Sequence, residues 1–230
     1  TFNEDISAWD VSSVTNMSYM FIYATSFNQP LNWNTSSVTT MRSMFYQATS
    51  FNQPLNWNTS SVTNMRGMFG EATSLNGTLT FSDTSNVTQM QEMFSRASSF
   101  NQPLNWNTSS VTDINSMFSL ASSFNQPLNW DTSSVTNMYR MFTYATAFNS
   151  TLNFSDTSNV TSMSEMFFQA TSFNQPLNWN TSSVNYFYQM FYGASAFNGT
   201  LTFDTSSVLN MKQMFFQATS FNQPLNWNTS

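Results

Sequence analysis

The 230-residue chain lacks cysteine and histidine altogether, and charged residues make up only 7% of it. Without cysteine there is no disulfide and no thiolate nucleophile. Without histidine the usual imidazole acid–base group and most zinc sites are excluded. The five cations stand one at a time along the sequence, and the net charge is −6. This pattern excludes a basic surface for binding nucleic acid.

Long apolar runs and charge clusters are missing as well. No stretch approaches the roughly 18 apolar residues of a membrane-spanning helix, and none has the layout of a signal peptide. The eleven carboxylates are spread along the chain, and Asp83, Asp156 and Asp204 follow an aromatic residue at turn-like positions. We therefore expect no enzyme activity, no cofactor and no metal site.

A Phe-Asn pair, Leu-Asn in one unit, recurs every 24 or 25 residues. We number the units, or rungs, 1 to 10 from this position: Phe2, Phe27, Phe51, Leu75, Phe100, Phe124, Phe148, Phe173, Phe197 and Phe221. A period of this length is typical of a solenoid, in which each unit contacts only its neighbours. The sequence therefore predicts one repeat array over residues 1–230, with nine complete units and a partial tenth. Because it starts and stops within a unit, we expect an uncapped piece of a longer array.

The first half of each unit predicts a short strand. Leucine and an aromatic residue alternate with polar residues, as in Leu31-Asn32-Trp33, and a proline often precedes them. All seven tryptophans occupy one column, which three phenylalanines complete. Strands stacked in register place identical side chains about 4.8 Å apart. We therefore expect a parallel sheet with leucine and tryptophan ladders facing the core.

The second half predicts a short helix. In rung 2, Val38, Met41 and Ala48 lie on one face of a 3.6-residue period, and Ser36 and Ser37 precede them as N-caps. The expected fold is an α/β solenoid, with a parallel sheet on one face, short helices on the other and 24–25 residues per rung. A three-sided β-coil without helices is the rival architecture. The helical spacing of the apolar residues favours the first.

Two stretches show the full set of repeated elements: FNEDISAWDVSSVTNMSYMF at 2–21 and SFNQPLNWNTSSVTNMRGMF at 50–69. In these elements the chain resembles the BspA-like leucine-rich repeats of microbial surface proteins, and the resemblance extends over all units. It implies a right-handed leucine-rich-repeat coil. It also implies a secreted or surface-anchored protein used in adhesion or in a surface coat.

Asparagine fills the second position of the Phe-Asn pair in all ten units. One interpretation is a ladder of stacked amides. The alternative for this column is ligand binding. The chain also has twelve Asn-x-Ser/Thr sequons, little more than its composition gives by chance, so N-glycosylation and a by-product of composition explain them equally well. The preferred glycosylation candidates lie in units where Gly-Thr or Ser-Thr replaces Gln-Pro: Asn76, Asn149 and Asn198.

The tyrosines all lie in the predicted helical half, at positions that differ between units. Aromatic residues exposed on a polar surface often mark contact surfaces, although partial burial between neighbouring helices explains these residues equally well. The interface candidates are Tyr19, Tyr23, Tyr46, Tyr139, Tyr144, Tyr188 and Tyr192.

The array itself is the expected functional object. We expect a non-enzymatic structural or adhesive glycoprotein, extracellular or on a cell surface, that forms a filament or stalk by end-to-end or lateral self-association. The alternative is a recognition module whose sheet face binds a host protein, a glycan or another periodic ligand such as ice. The sameness of the strand halves favours the structural role.

Overall fold

The computed structural model describes residues 1–227. These residues contain two strands, β1 at Leu55–Trp57 and β2 at Leu79–Phe81, which pair in parallel with Leu55 opposite Leu79. No helix occurs among them. It follows that no helix in residues 1–227 is long and apolar enough to cross a membrane.

Successive rungs stack in register through their backbones. A column of isolated parallel bridges runs without a gap from Asn16 through Thr40 and Asn64 as far as Asn210. The bridged residues are one repeat apart, and each step is the same kind of bridge. The described chain is therefore a continuous coil of stacked rungs.

The predicted α/β leucine-rich-repeat coil with short helices is wrong, because the Met-x-x-Met-Phe segment forms consecutive turns. Met44 N–H donates to the Met41 carbonyl at 3.2 Å, and Ala48 N–H to the Phe45 carbonyl at 3.0 Å. Intervening N–H groups point to the next rung, as Phe45 N–H does to the Met68 carbonyl at 2.8 Å. An α-helix needs each N–H for the carbonyl four residues earlier. Rung-to-rung bonding and a helix therefore exclude each other.

Left-handed backbone recurs at two positions in every turn segment. In rung 2 these are Ser43 with φ 50° and Gln47 with φ 57°, and the equivalent positions are left-handed through rung 9, at Gln213 and Gln217. Helical residues have φ near −63°, whereas a type II turn needs a positive φ at its third residue. Consecutive turns also space the apolar residues three or four apart, which is why the sequence pattern looks helical.

The serines at 36–37 do not cap a helix. Ser36 N–H donates to Asn34 Oδ1 at 3.2 Å, and Val38 N–H donates to the Thr35 carbonyl at 3.0 Å, so the segment is a turn. Thr35, which is buried, donates its hydroxyl to the Asn58 carbonyl of the next rung at 2.8 Å. The repeated Asn-Thr-Ser-Ser therefore closes a corner of the coil.

The observed sheet is also smaller than the strand pattern predicts. Where two successive rungs both contain tryptophan, the indole N–H donates to a backbone carbonyl of the preceding rung. Trp57 Nε1–H, for example, donates to the Leu31 carbonyl at 2.9 Å. A continuous sheet would need that carbonyl for a strand partner. Within residues 1–227 the regular strands are β1 and β2, with isolated bridges elsewhere.

Stacked aromatic rings and methionines fill the core. The Phe45 ring lies 4.2 Å from that of Phe51 and 5.5 Å from that of Phe69 in the next rung. Leucine and tryptophan do face inward, since Leu55 and Trp57 are each 1% exposed. Because these columns are buried, the residues between them in each turn segment point outward.

Candidate interaction surface

The turn face consists of the outward residues of the turn segments, two between the methionines and two between the phenylalanine and the alanine. In rung 2 these are residues 42–43 and 46–47. The methionine, phenylalanine and alanine columns on either side of them are buried. The turn face therefore displays the side chains that differ from rung to rung.

A groove of about 670 Å³ runs along the turn face from rung 2 to rung 8. Small residues near its middle, Ser95, Ser116 and Ser119, leave the space that defines it. The other lining residues are mostly charged or aromatic: Tyr46, Glu71, Glu92, Arg96, Leu120, Arg140, Thr143, Tyr144, Glu165, Phe168, Tyr188 and Gln189.

Three ion pairs lie along this surface. Arg66 Nη2 is 3.1 Å from Glu92 Oε1, and Arg140 Nη2 is 2.7 Å from Glu165 Oε2. A looser pair joins Arg96 to Glu71 at 3.9 Å. Charges that are spread along the sequence are therefore gathered by the fold, because three of the five cations and three of the four glutamates meet on one face. Stacking brings together residues about 25 apart in sequence.

Glu71 organises one end of the groove. Its Oε1 accepts the Tyr46 hydroxyl at 2.8 Å, and its Oε2 accepts Gln47 Nε2 at 2.7 Å. The hydrogen bond to this carboxylate raises the pKa of Tyr46 above its ordinary value, with burial adding to the effect. The contact stabilises the fold below the unfolded tyrosine pKa of about 10, and that stabilisation is lost as the pH rises through the folded pKa.

Glu165 anchors the other end and is only 8% exposed. Arg140 Nε donates to its Oε2 at 2.8 Å, and the Tyr139 hydroxyl donates to its Oε1 at 3.2 Å. Burial raises the pKa of Tyr139, and the nearby Glu165 charge acts in the same direction. A buried carboxylate is tolerated because it is paired and hydrogen-bonded.

The predicted interface tyrosines all lie on the turn face. Tyr19, Tyr23 and Tyr144 are 43%, 60% and 42% exposed. The other four, Tyr46, Tyr139, Tyr188 and Tyr192, are half-buried. Burial between helices is wrong as an explanation of these residues, since the described residues include no helix. Their role as an interface stays a prediction.

Aromatic rings form a strip at the rung 6 to rung 9 end. The Tyr144 ring is 5.5 Å from that of Phe168, which stacks on Tyr192 at 4.8 Å. Tyr192 in turn lies 5.0 Å from Phe216. The strip continues the groove as an apolar surface along the coil.

The glycosylation candidates belong to a continuous asparagine ladder. Each Oδ1 accepts the backbone N–H of the asparagine in the next rung: Asn76 from Asn101 at 2.9 Å, Asn149 from Asn174 at 2.8 Å and Asn198 from Asn222 at 2.9 Å. The same bond starts at Asn3 and recurs at every step. These asparagines therefore have a structural role, and their glycosylation stays a prediction.

Aspartates at the end of the strand segment stabilise turns. Ser85 N–H donates to Asp83 Oδ1 at 2.8 Å, and Asp131 and Asp204 accept a serine N–H two residues later in the same way. These bonds lower the pKa of all three carboxyls. Within residues 1–227, no three acidic side chains converge as metal ligands would.

Three overlapping stretches of the chain match one protein family. Residues 1–80, 55–154 and 128–227 each match the family described as Mycoplasma protein of unknown function, DUF285. The chain belongs to this family. No curated protein and no solved structure compared with the chain matches it.

The order of the charges along the chain does not reveal the charged groove of this family member, because the residues that form it are about 25 positions apart. Aligning the units instead places Glu71, Glu92, Arg96, Arg140 and Glu165 in the two columns that follow the methionines and the phenylalanine. The same columns carry the positive φ angles at every one of these residues. A column-by-column comparison of variable residues is the signal that would have revealed the groove.

Proposed function

We propose that this chain is a non-enzymatic structural repeat protein of a cell surface that associates laterally with a second copy of itself through the turn face. The observation that carries the proposal is the order of charges along that face. In the column between the two methionines, the order from rung 3 to rung 7 is Arg66, Glu92, Arg140 and Glu165. Glu71 and Arg96 lie in the other column, between the phenylalanine and the alanine. Rung 5, which separates the first pair from the second, has no charge on the turn face.

This order makes the turn face complementary to itself when two copies run antiparallel. A two-fold axis at rung 5 brings rung 4 opposite rung 6, and rung 3 opposite rung 7. Glu92 then faces Arg140 of the second copy, and Arg66 faces the rung that carries the largely buried Glu165. Arg66, Glu92 and Arg140 keep side-chain exposures of 42%, 43% and 46%, so a partner reaches them. Complementary charges of this kind fix register and orientation.

Uncharged contacts support the same arrangement. Leu120 of rung 5 lies on the axis, so the two copies place their Leu120 side chains against each other. Arg96 of rung 4 comes opposite the exposed Tyr144 of rung 6, a pairing suited to a cation–π contact. Aromatic and arginine side chains are enriched where protein interfaces gain their affinity.

The ion pairs and hydrogen bonds of the groove carboxylates support a structural rather than a catalytic role. Glu71, Glu92 and Glu165 are each within an ion pair, and two of them also accept tyrosine hydroxyls. Surface location and adhesion are supported by the resemblance to BspA-like surface proteins. End-to-end stacking into a filament stays a prediction, because no described contact bears on it.

Sedimentation velocity over a range of protein concentrations tests the association. We expect the unmodified chain to dimerise, and added salt to weaken the dimer because exposed charges are screened. Glu92→Arg should abolish the dimer, since it places two cations opposite each other. Adding Arg140→Glu to the same chain should restore it, because the opposed charges are then exchanged.

Two further variants distinguish loss of the interface from misfolding of the chain. Leu120→Arg touches no ion pair and places two cations on the axis, so it should also give monomers. Asn32→Arg, on an exposed strand position, should leave the dimer intact. A monomeric unmodified chain at every concentration overturns the proposal. So does a Glu92→Arg variant that still dimerises while its circular dichroism is unchanged.

A further inference from the structure

Two clefts open on the strand side of the coil, at equivalent positions of their repeat units. The first lies between Phe81 of rung 4 and Trp106 of rung 5, with a volume of about 230 Å³. The second lies between Phe154 of rung 7 and Trp179 of rung 8, with a volume of about 510 Å³. Each residue of the first pair is 73 positions before its counterpart in the second.

The two clefts share most of their lining residue types, although Asn153 replaces Thr80 and Ser155 lines only the second. Each has a threonine, leucine and phenylalanine from one rung and a glutamine, proline, asparagine and tryptophan from the next. The first is lined by Thr78, Leu79, Thr80, Phe81, Gln102, Pro103, Asn105 and Trp106. No charged side chain lines either cleft.

The clefts arise from an inserted serine together with a smaller ring. Ser82 and Ser155 follow the phenylalanine in two of the three 25-residue units, and each donates its N–H to the tryptophan carbonyl of the preceding rung. The Phe81 and Trp106 rings lie 5.3 Å apart at 16°, and the second cleft repeats this with 5.4 Å and 18°. Phe203 lacks the inserted serine, and its ring is 6.3 Å from that of Trp227 at 7°.

Polar groups that are bonded elsewhere in the coil are free in these clefts. Between tryptophan rungs the indole N–H donates to a leucine carbonyl, as Trp130 does to Leu104 at 3.1 Å. Within residues 1–227, neither Trp106 nor Trp179 makes this bond, and no bridge joins Leu79 to the next rung. The only buried polar side-chain atoms without a partner in that range are Gln91 Oε1 and Trp227 Nε1. Both cleft indoles are therefore reached by solvent.

We propose that the paired clefts bind a neutral glycan chain, with one sugar segment at Phe81/Trp106 and a second at Phe154/Trp179. Sugar C–H groups pack on the exposed proline ring and on the accessible edges of the largely buried aromatic rings. Sugar hydroxyls bond to amides, threonine hydroxyls, the indole N–H and free backbone groups. The uncharged lining suits an uncharged polymer. Three rungs of about 4.8 Å separate the clefts, so one extended chain along the coil axis reaches both. This inference does not rest on self-association through the turn face.

Affinity electrophoresis tests the inference with hydroxyethylcellulose, galactomannan and dextran as neutral probes and heparin as an anionic one. We expect at least one neutral polymer to retard the protein and heparin to have no effect. Phe81→Trp with Phe154→Trp restores the larger ring at both clefts and should abolish retardation. Phe81→Trp alone should weaken binding to the long polymer at least ~10-fold, because two linked sites act together.

Matched controls separate the clefts from the rest of the coil. Phe203→Trp makes the same exchange in a rung without the inserted serine, so retardation should persist. Leu120→Arg should also leave it intact, which distinguishes this site from the turn face. The inference is overturned if no neutral polymer retards the protein, if heparin retards it, or if the double variant binds as well as the unmodified chain.

Discussion

At the scale of single residues, the unusual feature is left-handed backbone at non-glycine side chains. Within residues 1–227, sixteen such residues have positive φ, and glycine fills the equivalent positions only at Gly67 and Gly193. Each left-handed non-glycine residue costs roughly 1–2 kcal/mol. The backbone hydrogen bonds that these turns allow between rungs compensate for this cost. Ser43 N–H, for example, donates to the carbonyl of Arg66 in the next rung at 2.8 Å.

Ser116 tests this account, since its φ is 53° and its side chain makes no hydrogen bond within residues 1–227. We expect Ser116→Gly to raise the free energy of unfolding by ~0.5–1 kcal/mol, because glycine adopts positive φ without strain. Ser116→Val should lower it by ~2 kcal/mol, since a β-branched residue is strained there. Urea unfolding followed by circular dichroism measures both changes.

Ser95 is the matched control because it is a turn-face serine without positive φ. Ser95→Gly should lower the free energy of unfolding by ~0.5–1 kcal/mol through the added freedom of the unfolded chain. A common direction for the two glycine variants would show that left-handed strain is not what distinguishes them.

At the scale of one structural element, the asparagine ladder joins all the described rungs. Its bonds run from a side-chain oxygen to a backbone N–H, so each asparagine holds the next rung in register. The expected ladder is present in this form, although the sequence pattern predicts bonds between amide side chains. The side-chain oxygen accepts the backbone N–H instead, because this N–H has no strand partner at that corner of the rung.

Asn101 lies mid-ladder, and its Oδ1 accepts Asn125 N–H at 2.9 Å. We expect Asn101→Ala to lower the free energy of unfolding by ~1–3 kcal/mol, because the Asn125 N–H loses its acceptor. Asn101→Asp keeps an acceptor oxygen and should retain most of the stability near neutral pH. Thermal and urea unfolding of both variants provide the measurement.

Asn56→Ala is the control for the ladder, since Asn56 is exposed on β1 and its side chain makes no hydrogen bond within residues 1–227. It should change stability by less than ~0.5 kcal/mol. Equal losses at Asn56 and Asn101 would mean that asparagine content, rather than the ladder bond, determines the stability.

At the scale of the whole molecule, stability is a sum over contacts between neighbouring rungs. Phe118 is fully buried at the middle of the coil, and its ring stacks on Phe94 at 5.6 Å and on Phe142 at 5.5 Å. A defect there interrupts the core on both sides. A defect near one end leaves most of the contacts between rungs intact.

We therefore expect Phe118→Ala to cost ~3–5 kcal/mol and to split urea unfolding into two transitions, one for each half of the coil. Phe215→Ala, at a partly exposed ring in rung 9, should cost less and leave one transition. Circular dichroism and tryptophan fluorescence measure the unfolding of both halves of the coil, since both contain tryptophan. A single transition in Phe118→Ala with a loss like that of Phe215→Ala would contradict additive rung contacts.

The amino-acid sequence by itself determines the period, the stacking in register and the identity of the core. Phe45, Met41, Leu55 and Trp57 are buried as their columns predict, because identical apolar side chains can be removed from water together only when identical rungs stack. The same reasoning places the asparagine column at a fixed corner of every rung.

Only the tertiary structure decides between helix and turn in the segment that contains Met41, Met44 and Ala48. Both conformations give the same apolar spacing, and the outcome depends on where the N–H groups of the segment find their acceptors. A neighbouring rung at about 4.8 Å offers those acceptors, which no isolated segment has. That same stacking gathers distant charges into one groove and opens the clefts at Phe81 and Phe154.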